Sequence, residues 1–218
     1  LLFLMVHDTD GFNRWNASQS LLIEIISELQ LIYINEGELK LPPILLRAFR
    51  GIINNSLEND DSDKVMIAQL LSLPSESLLI EQSDVADVGA IHRVREFLAS
   101  NLSLQLEPVF EEVLLANTND DDYSPDASSM ASRALKNLAL SYLVRTGSER
   151  WVDVCYEQFN QANNMTDQLA ALRFLVNAKS SKGVIVGEKA LAKFYTQWSH
   201  EALVIDQWFA VQATSQRD

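Results

Sequence analysis

A chain of 218 residues, 47% of them hydrophobic, is long enough for one large domain or two small ones and has ample material for a packed core. Its 30 acidic and 17 basic residues leave a net charge of −13, which argues against a nucleic-acid partner, because phosphate-backbone binding rests on clustered Lys and Arg. Cys155 is the single cysteine, so no internal disulfide can form; with Trp151, Val152 and Phe159 near it, it reads as a small buried hydrophobe in a reducing, cytoplasmic setting.

The opening run Leu1 to Val6 is apolar but too short, and without the flanks, for a signal peptide or a membrane span; it is expected to be the strand of a sheet. After His7 the apolar spacing becomes helical. Phe12, Trp15, Leu22, Ile26 and Leu29 fall on one side of a first long helix that should end before Gly37. Pro42-Pro43 start a second, with Leu46, Phe49 and Ile53 sharing a face, since proline suits the first turn, where its missing N–H is not needed. Asn54 to Asp63 is expected as a loop, Val65, Leu70 and Leu71 mark a short third helix, and Pro74 opens a fourth.

Between Val85 and Asn117, the residues Ile91, Val94, Leu98, Leu102, Leu106, Phe110 and Leu114 keep an almost unbroken three-and-four spacing. Pro108 lies inside this run. An interior proline costs about 3 kcal/mol and a hydrogen bond, which predicts a kink or break near Gln105 to Pro108. Ser124-Pro125-Asp126 combine a capping hydroxyl, a first-turn proline and an acid for the positive end of the dipole. The helix they open should turn Ala131, Leu135, Leu138 and Tyr142 inward and stop at Gly147. Ser148 is read as the cap of a helix through Trp151, Cys155 and Phe159. Asn164 or Thr166 caps the next, with Asp167 near its positive end and Leu169, Leu172 and Val176 toward the core. Lys179 to Gly183 reads as a turn, Leu191, Phe194, Tyr195 and Trp198 mark another helix, and Leu203 to Val211 the last.

About ten helices with short antiparallel connections make an all-α protein, and their pairing suggests a superhelical, armadillo- or HEAT-like stack. No fixed period recurs, which disfavours tetratricopeptide and ankyrin arrays.

Little in the chain carries chemistry. His7, His92 and His200 stand far apart, and in His200-Glu201-Ala202-Leu203-Val204 the position of a second zinc-binding histidine holds valine. Asp60-Asp61-Ser62-Asp63 and Asp120-Asp121-Asp122 lack the alternating ligands, glycine and glutamate of a helix-loop-helix calcium loop and read as solvated loops. With seven glycines, the chain has no dinucleotide fingerprint, phosphate loop or nucleophile elbow. Cys155 has no evident base to make a thiolate, and Trp15, Trp151, Trp198 and Trp208 read as core anchors. The Asn163-Asn164 amides either bridge two helices or, the simpler reading, form a cap with a hydrogen-bonded turn.

Several rarer combinations occur in order along the chain. They are Phe12-Asn13-Arg14-Trp15 with Gln19, Leu73-Pro74-Ser75, Arg133-Ala134-Leu135-Lys136-Asn137, Asn163-Asn164-Met165-Thr166-Asp167, and Asp206-x-Trp208-Phe209-x-x-Gln212-Ala213-Thr214-Ser215. Together they closely resemble aminopeptidase N of the bacterial, alanyl aminopeptidase type, a family of zinc metallopeptidases. The resemblance implies that residues 1–8 end a preceding β-sandwich domain and that 9–218 are most of a C-terminal helical domain cut before its closing helices. It implies a zinc-dependent enzyme that removes N-terminal residues from peptides, with a metal-activated water as nucleophile. The family's zinc-binding and amine-binding motifs do not occur here, so no catalytic, cofactor-binding or metal residue is expected in this segment, and zinc belongs to the full-length enzyme. The expected partners are the catalytic and β-domains of the same polypeptide and peptide substrates, with no nucleic acid and no membrane. The alternative is a free-standing helical-repeat scaffold that binds a protein in a concave groove.

Overall fold

The computed structural model describes residues 1–59, 62–119 and 122–217. Asp60, Asp61, Asp120 and Asp121, on which either calcium reading would draw, lie outside the described residues. Among the described residues there are eleven helices and no strand. They are α1 (Leu2–His7), α2 (Gly11–Ile34), α3 (Pro43–Glu58), α4 (Lys64–Leu70), α5 (Glu76–Glu81), α6 (Val88–Ala116), α7 (Ala127–Arg145), α8 (Glu149–Gln161), α9 (Met165–Val176), α10 (Ser181–Trp198) and α11 (Ala202–Ala213). They fall into two compact units, Leu1–Ala116 and Asn117–Asp218.

In the first unit α6 is the central element, packed against α2, α3 and α5. Ile91, Val94, Leu98, Leu102, Leu106, Phe110 and Leu114 are all buried along it, as their spacing predicts. The expected break at Pro108 is absent, for α6 runs through it. The buried side chains on both sides of the proline outweigh one lost hydrogen bond. Gln105, one turn earlier, has its carbonyl met by Arg50 Nη2 at 3.3 Å.

The expected strand at the start is a helix, α1. Leu2, Phe3, Leu4 and Met5 are tolerated well by a helix, and an apolar run this short has no period to separate the two states. Packing decides it: α1 lies on α2, Met5 is fully buried, and Arg14 Nε donates to Met5 O at 3.2 Å.

α2 is the one helix among the described residues long and apolar enough to cross a membrane, by length and composition. Its Leu22, Ile25, Ile26 and Leu29 are buried in the first unit. The face drawn from sequence departs at its start, where Phe12 is 69% and Trp15 36% exposed. α3 runs to Glu58, so Asn54, Asn55 and Ser56 lie in the helix and not in the expected loop. Ser56 Oγ there donates to Ile53 O at 2.7 Å, a local bond that a helix accommodates. Asp63 and Ser75 cap α4 and α5 through Met66 N (3.0 Å) and Leu78 N (3.2 Å).

The second unit has the layering of a helical repeat. α9 packs against both α8 and α10, and α11 packs against both α9 and α10. Alternate helices are tied in parallel register. Asp153 meets Lys182 Nζ at 2.6 Å, Lys189 lies over the Tyr156 ring, and Lys193 Nζ donates to Asn160 Oδ1 at 2.6 Å, so partners advance together along α8 and α10. Arg173 with Gln207, and Asn177 with the N–H of Gln216, do the same for α9 and α11. Stacking parallel layers in this way is how repeat proteins build one continuous core from short units.

Local signals in this unit are partly as expected. α7 is capped by Asp126, whose Oδ1 accepts from Ser129 N at 2.9 Å, rather than by the Ser124 hydroxyl, and Gly147 takes the left-handed backbone (φ 81°) that ends the run. Ser148 stands at the cap of α8 without a side-chain bond. The turn expected from Lys179 to Gly183 is shorter, because Ser180 caps α10 by accepting from Gly183 N at 3.1 Å and draws Gly183 into the helix. Of the tryptophans, Trp151 is buried, while Trp198 and Trp208 are half-buried with their indole N–H groups bonded to Gln168 Oε1 and Leu191 O at 3.0 Å each.

Candidate functional site

The densest polar arrangement is a network of side chains from α7, α8 and the start of α9. Asn164 ends the preceding loop in an extended conformation and caps α9, its Oδ1 accepting from Asp167 N at 2.9 Å. The simpler reading of the Asn163-Asn164 pair therefore holds, and the caps reach further. Asn164 Nδ2 donates to Asn163 Oδ1 (3.1 Å) and to Asp167 Oδ2 (3.2 Å).

Asp167 sits in the first turn of α9, where the positive end of the dipole favours a carboxylate. Its Oδ2 takes Lys136 Nζ at 2.6 Å and its Oδ1 takes Asn137 Nδ2 at 2.8 Å. Gln158 Nε2 closes the set by donating to Asn137 Oδ1 (2.8 Å) and Asp167 O (3.2 Å). On the next residue, Gln168 Nε2 donates to Gln197 Oε1 at 3.1 Å.

This arrangement clamps helices; it does not perform a reaction. A general base needs a lone pair aimed at a substrate proton, and the Asp167 carboxylate is buried and already accepts from three side chains, those of Lys136, Asn137 and the cap residue Asn164. Lys136 is held by the same ion pair. What the network can do is fix α7, α8 and α9 in one register, since each member left alone in the interior would be costly.

The other groups weighed from sequence are dispersed. His92 Nδ1 lies 2.9 Å from Glu76 Oε1 on α5, the His7 ring is tilted against that of Phe3 with centroids 5.0 Å apart, and His200 Nε2 is 3.8 Å from Glu201 Oε1. Among the described residues no three His, Cys, Asp or Glu are grouped to hold a metal, so these side chains do not offer a zinc site. Cys155 is fully buried, 3.5 Å from Ala171 O, and burial pushes its thiol far above the usual range, the reverse of an activated nucleophile.

One feature escaped the sequence reading. The runs Phe12 to Gln19 and Leu73 to Ser75, far apart in the chain, meet at an open cleft of about 360 Å³ in the first unit. Trp15, Gln69, Leu73, Pro74 and Leu78 are in its wall, and Gln19 Nε2 holds Ser72 O at 3.3 Å.

The described residues are helical throughout their regular structure, with the layering of a helical repeat in the second unit. The chain belongs to the family described as "Domain of unknown function (DUF3458_C) ARM repeats", whose model matches residues 1–218. Among its curated relatives, aminopeptidase N of Escherichia coli (strain K12) is 35% identical over 99% of this chain, and aminopeptidase N of Haemophilus influenzae 30% identical over 100%. The crystal structure of Legionella pneumophila aminopeptidase A in complex with aspartic acid superposes with a TM-score of 0.82 at 25% identity, covering 99% of this chain and 25% of that one. The chain spans about a quarter of the length of these relatives (24% of each curated one) and is the C-terminal helical domain of aminopeptidase N-like proteins.

Proposed function

We propose that this chain is the non-catalytic helical domain of a zinc-dependent aminopeptidase that removes N-terminal residues from peptides. The observation that carries the reading is that relatives named aminopeptidase N match essentially the whole chain while being about four times its length. The domain's part is architectural: it covers the active site and limits access to short peptides. Zinc, the metal-bound water and the glutamate base belong to the catalytic part of the same polypeptide. Residues 1–8 end a preceding domain, and 9–218 belong to the helical domain. The enzyme works in the cytoplasm.

The acidic charge supports a chamber that favours the cationic amine of a peptide. The first unit holds 18 of the 30 acids and 7 of the 17 bases, net −11, against −2 for the second.

The test is an aminoacyl amide reporter assayed with the polypeptide that contains this chain and, separately, with the 218 residues alone. The longer polypeptide should turn over, lose activity to a chelator and regain it with zinc, and prefer short peptides to folded proteins. The chain alone should give no metal-dependent hydrolysis. Turnover by the chain alone that survives repurification, or none by the longer polypeptide, overturns the reading.

A further inference from the structure

We infer that residues 64–81, α4 and α5 with the turn between them, form a strap that side chains of α2 and α6 latch down, and that this strap opens as one local unit while the rest of the first unit stays folded. Neither helix is long enough to hold itself. α4 has seven residues and α5 six, well below the ~12–15 at which an isolated helix becomes even marginally stable.

The strap makes its own backbone bonds, from Leu71 N to Ile67 O, Ser72 N to Gln69 O and Leu79 N to Ser75 O. Side chains tie it to the body of the unit. On α2, Ser18 Oγ donates to Leu70 O at 2.9 Å and Gln19 Nε2 to Ser72 O at 3.3 Å. On α6, Arg95 Nε donates to Pro74 O at 2.8 Å and His92 Nδ1 lies 2.9 Å from Glu76 Oε1. The carbonyls of Ser72 and Pro74 are two residues apart, the spacing at which an extended chain presents one side. Pro74 keeps that stretch extended by disfavouring a helical Leu73, and Ser75 follows at φ −69°, ψ 152°. Arg95 is the strongest of the ties, because a charged donor binds a carbonyl more tightly than a neutral amide does.

Burial separates the strap from the helices it lies on. It buries Ile67, Leu70, Leu71 and Leu79, but Val65, Gln69, Ser75 and Ile80 are exposed. The buried residues of α6 recur along almost its whole length, from Ala90 to Leu114. Short helices with an exposed outer side and polar ties belong to the low end of local opening free energy, and a core helix to the high end. Opening has a consequence for the cleft beside Trp15. Leu73, Pro74, Ser75 and Leu78 of its wall are strap residues, whereas Trp15 and Gln19 belong to α2, so the cleft exists only while the latch is closed.

The test is amide hydrogen exchange at low urea, read by mass spectrometry on the polypeptide that contains this chain. Amides of α4 and α5 should exchange at least about tenfold faster than those of α6 between Ile91 and Leu114, and should share one dependence on urea. Arg95→Met keeps the apolar stem and removes the donor, and Ser18→Ala removes the hydroxyl at Leu70 O. Each, made separately, should speed exchange in α4 and α5 together by a further five- to tenfold or so, leaving α6 and the second unit unchanged. Exchange in the parent as slow in the strap as in α6 overturns the proposal. Different urea dependences for α4 and α5, or variants that speed α6 as much as the strap or leave the strap unchanged, overturn it equally.

Discussion

Lys136 Nζ lies 2.6 Å from Asp167 Oδ2, with the two side chains 13% and 7% exposed, and this pair bridges α7 to the first turn of α9 across 31 residues of chain. Removing one member of a buried pair strands the other, at a cost of about 3–5 kcal/mol. The two single losses should differ. Asp167→Ala leaves Lys136, Asn137 and Asn164 without their acceptor, and should lower unfolding free energy by about 3–4 kcal/mol. Lys136→Met leaves the carboxylate two amide donors and the helix dipole, and should cost only about 1–2 kcal/mol. Urea unfolding of the two variants and their double mutant measures the coupling; equal losses for the two singles would show that the network does not centre on Asp167.

Cys155 should be inert in the folded chain. Its thiol is fully buried, so iodoacetamide should label it only through unfolding, at a rate that rises steeply with urea. Burial raises its pKa in the folded state, so its contribution to stability is fully present below the unfolded value near 8.5 and is lost as pH rises above it. Cys155→Ala should therefore show a weaker loss of stability between about pH 8 and pH 10 than the parent does. Fast labelling in native buffer, or identical alkaline slopes, would refute the burial argument.

Asp126 makes the opposite case on the acid side. The Ser124 hydroxyl, then the backbone N–H and hydroxyl of Ser129, hold its carboxylate well below the usual range. A depressed folded pKa contributes stability that is present above the unfolded value of about 3.9 and is lost as pH falls below it. Asp126→Asn keeps a competent cap without a titrating group. The stability difference between parent and variant should be constant above about pH 5 and shrink toward pH 2; a difference independent of pH would mean that the cap carries no charge effect.

What could be read from the chain divides by range. The buried face of α6 was legible because its information is local: side chains three and four apart share a face whatever lies opposite. The Asn164 cap was legible for the same local reason, whereas at α7 the capping bond falls to Asp126 and not to the Ser124 hydroxyl expected for it. Misreadings arose where packing overrode local preference. Leu2–His7 has no period long enough to distinguish strand from helix, and α6 absorbs Pro108 because buried residues flank it. Lys136, Asn137 and Asp167 were visible as unusual residues, but their meeting depends on how α7 crosses α9, and the convergence of Trp15 with Leu73 and Pro74 depends on the seating of α2 beside α4. No spacing rule encodes such angles.

Two glycines inside helices test how closely α10 presses on α9. A Cβ at Gly187 would lie 2.6 Å from Leu175 O and 3.1 Å from Leu175 C, both backbone atoms of α9 that cannot rotate away. Gly187→Ala must push the two helices apart, and since α9 also carries the Asp167 clamp, the strain should cost about 1–3 kcal/mol. Gly51 in α3 is the control, because a Cβ there meets nothing within 4 Å and its backbone is helical. Gly51→Ala should raise stability by roughly 0.5–1 kcal/mol through the reduced entropy of the unfolded chain. Thermal unfolding of both variants against the parent should thus move the midpoint in opposite directions. A neutral or stabilising Gly187→Ala would mean that α10 does not sit against Leu175 and that the parallel register of α8 with α10 is looser than their three ties imply.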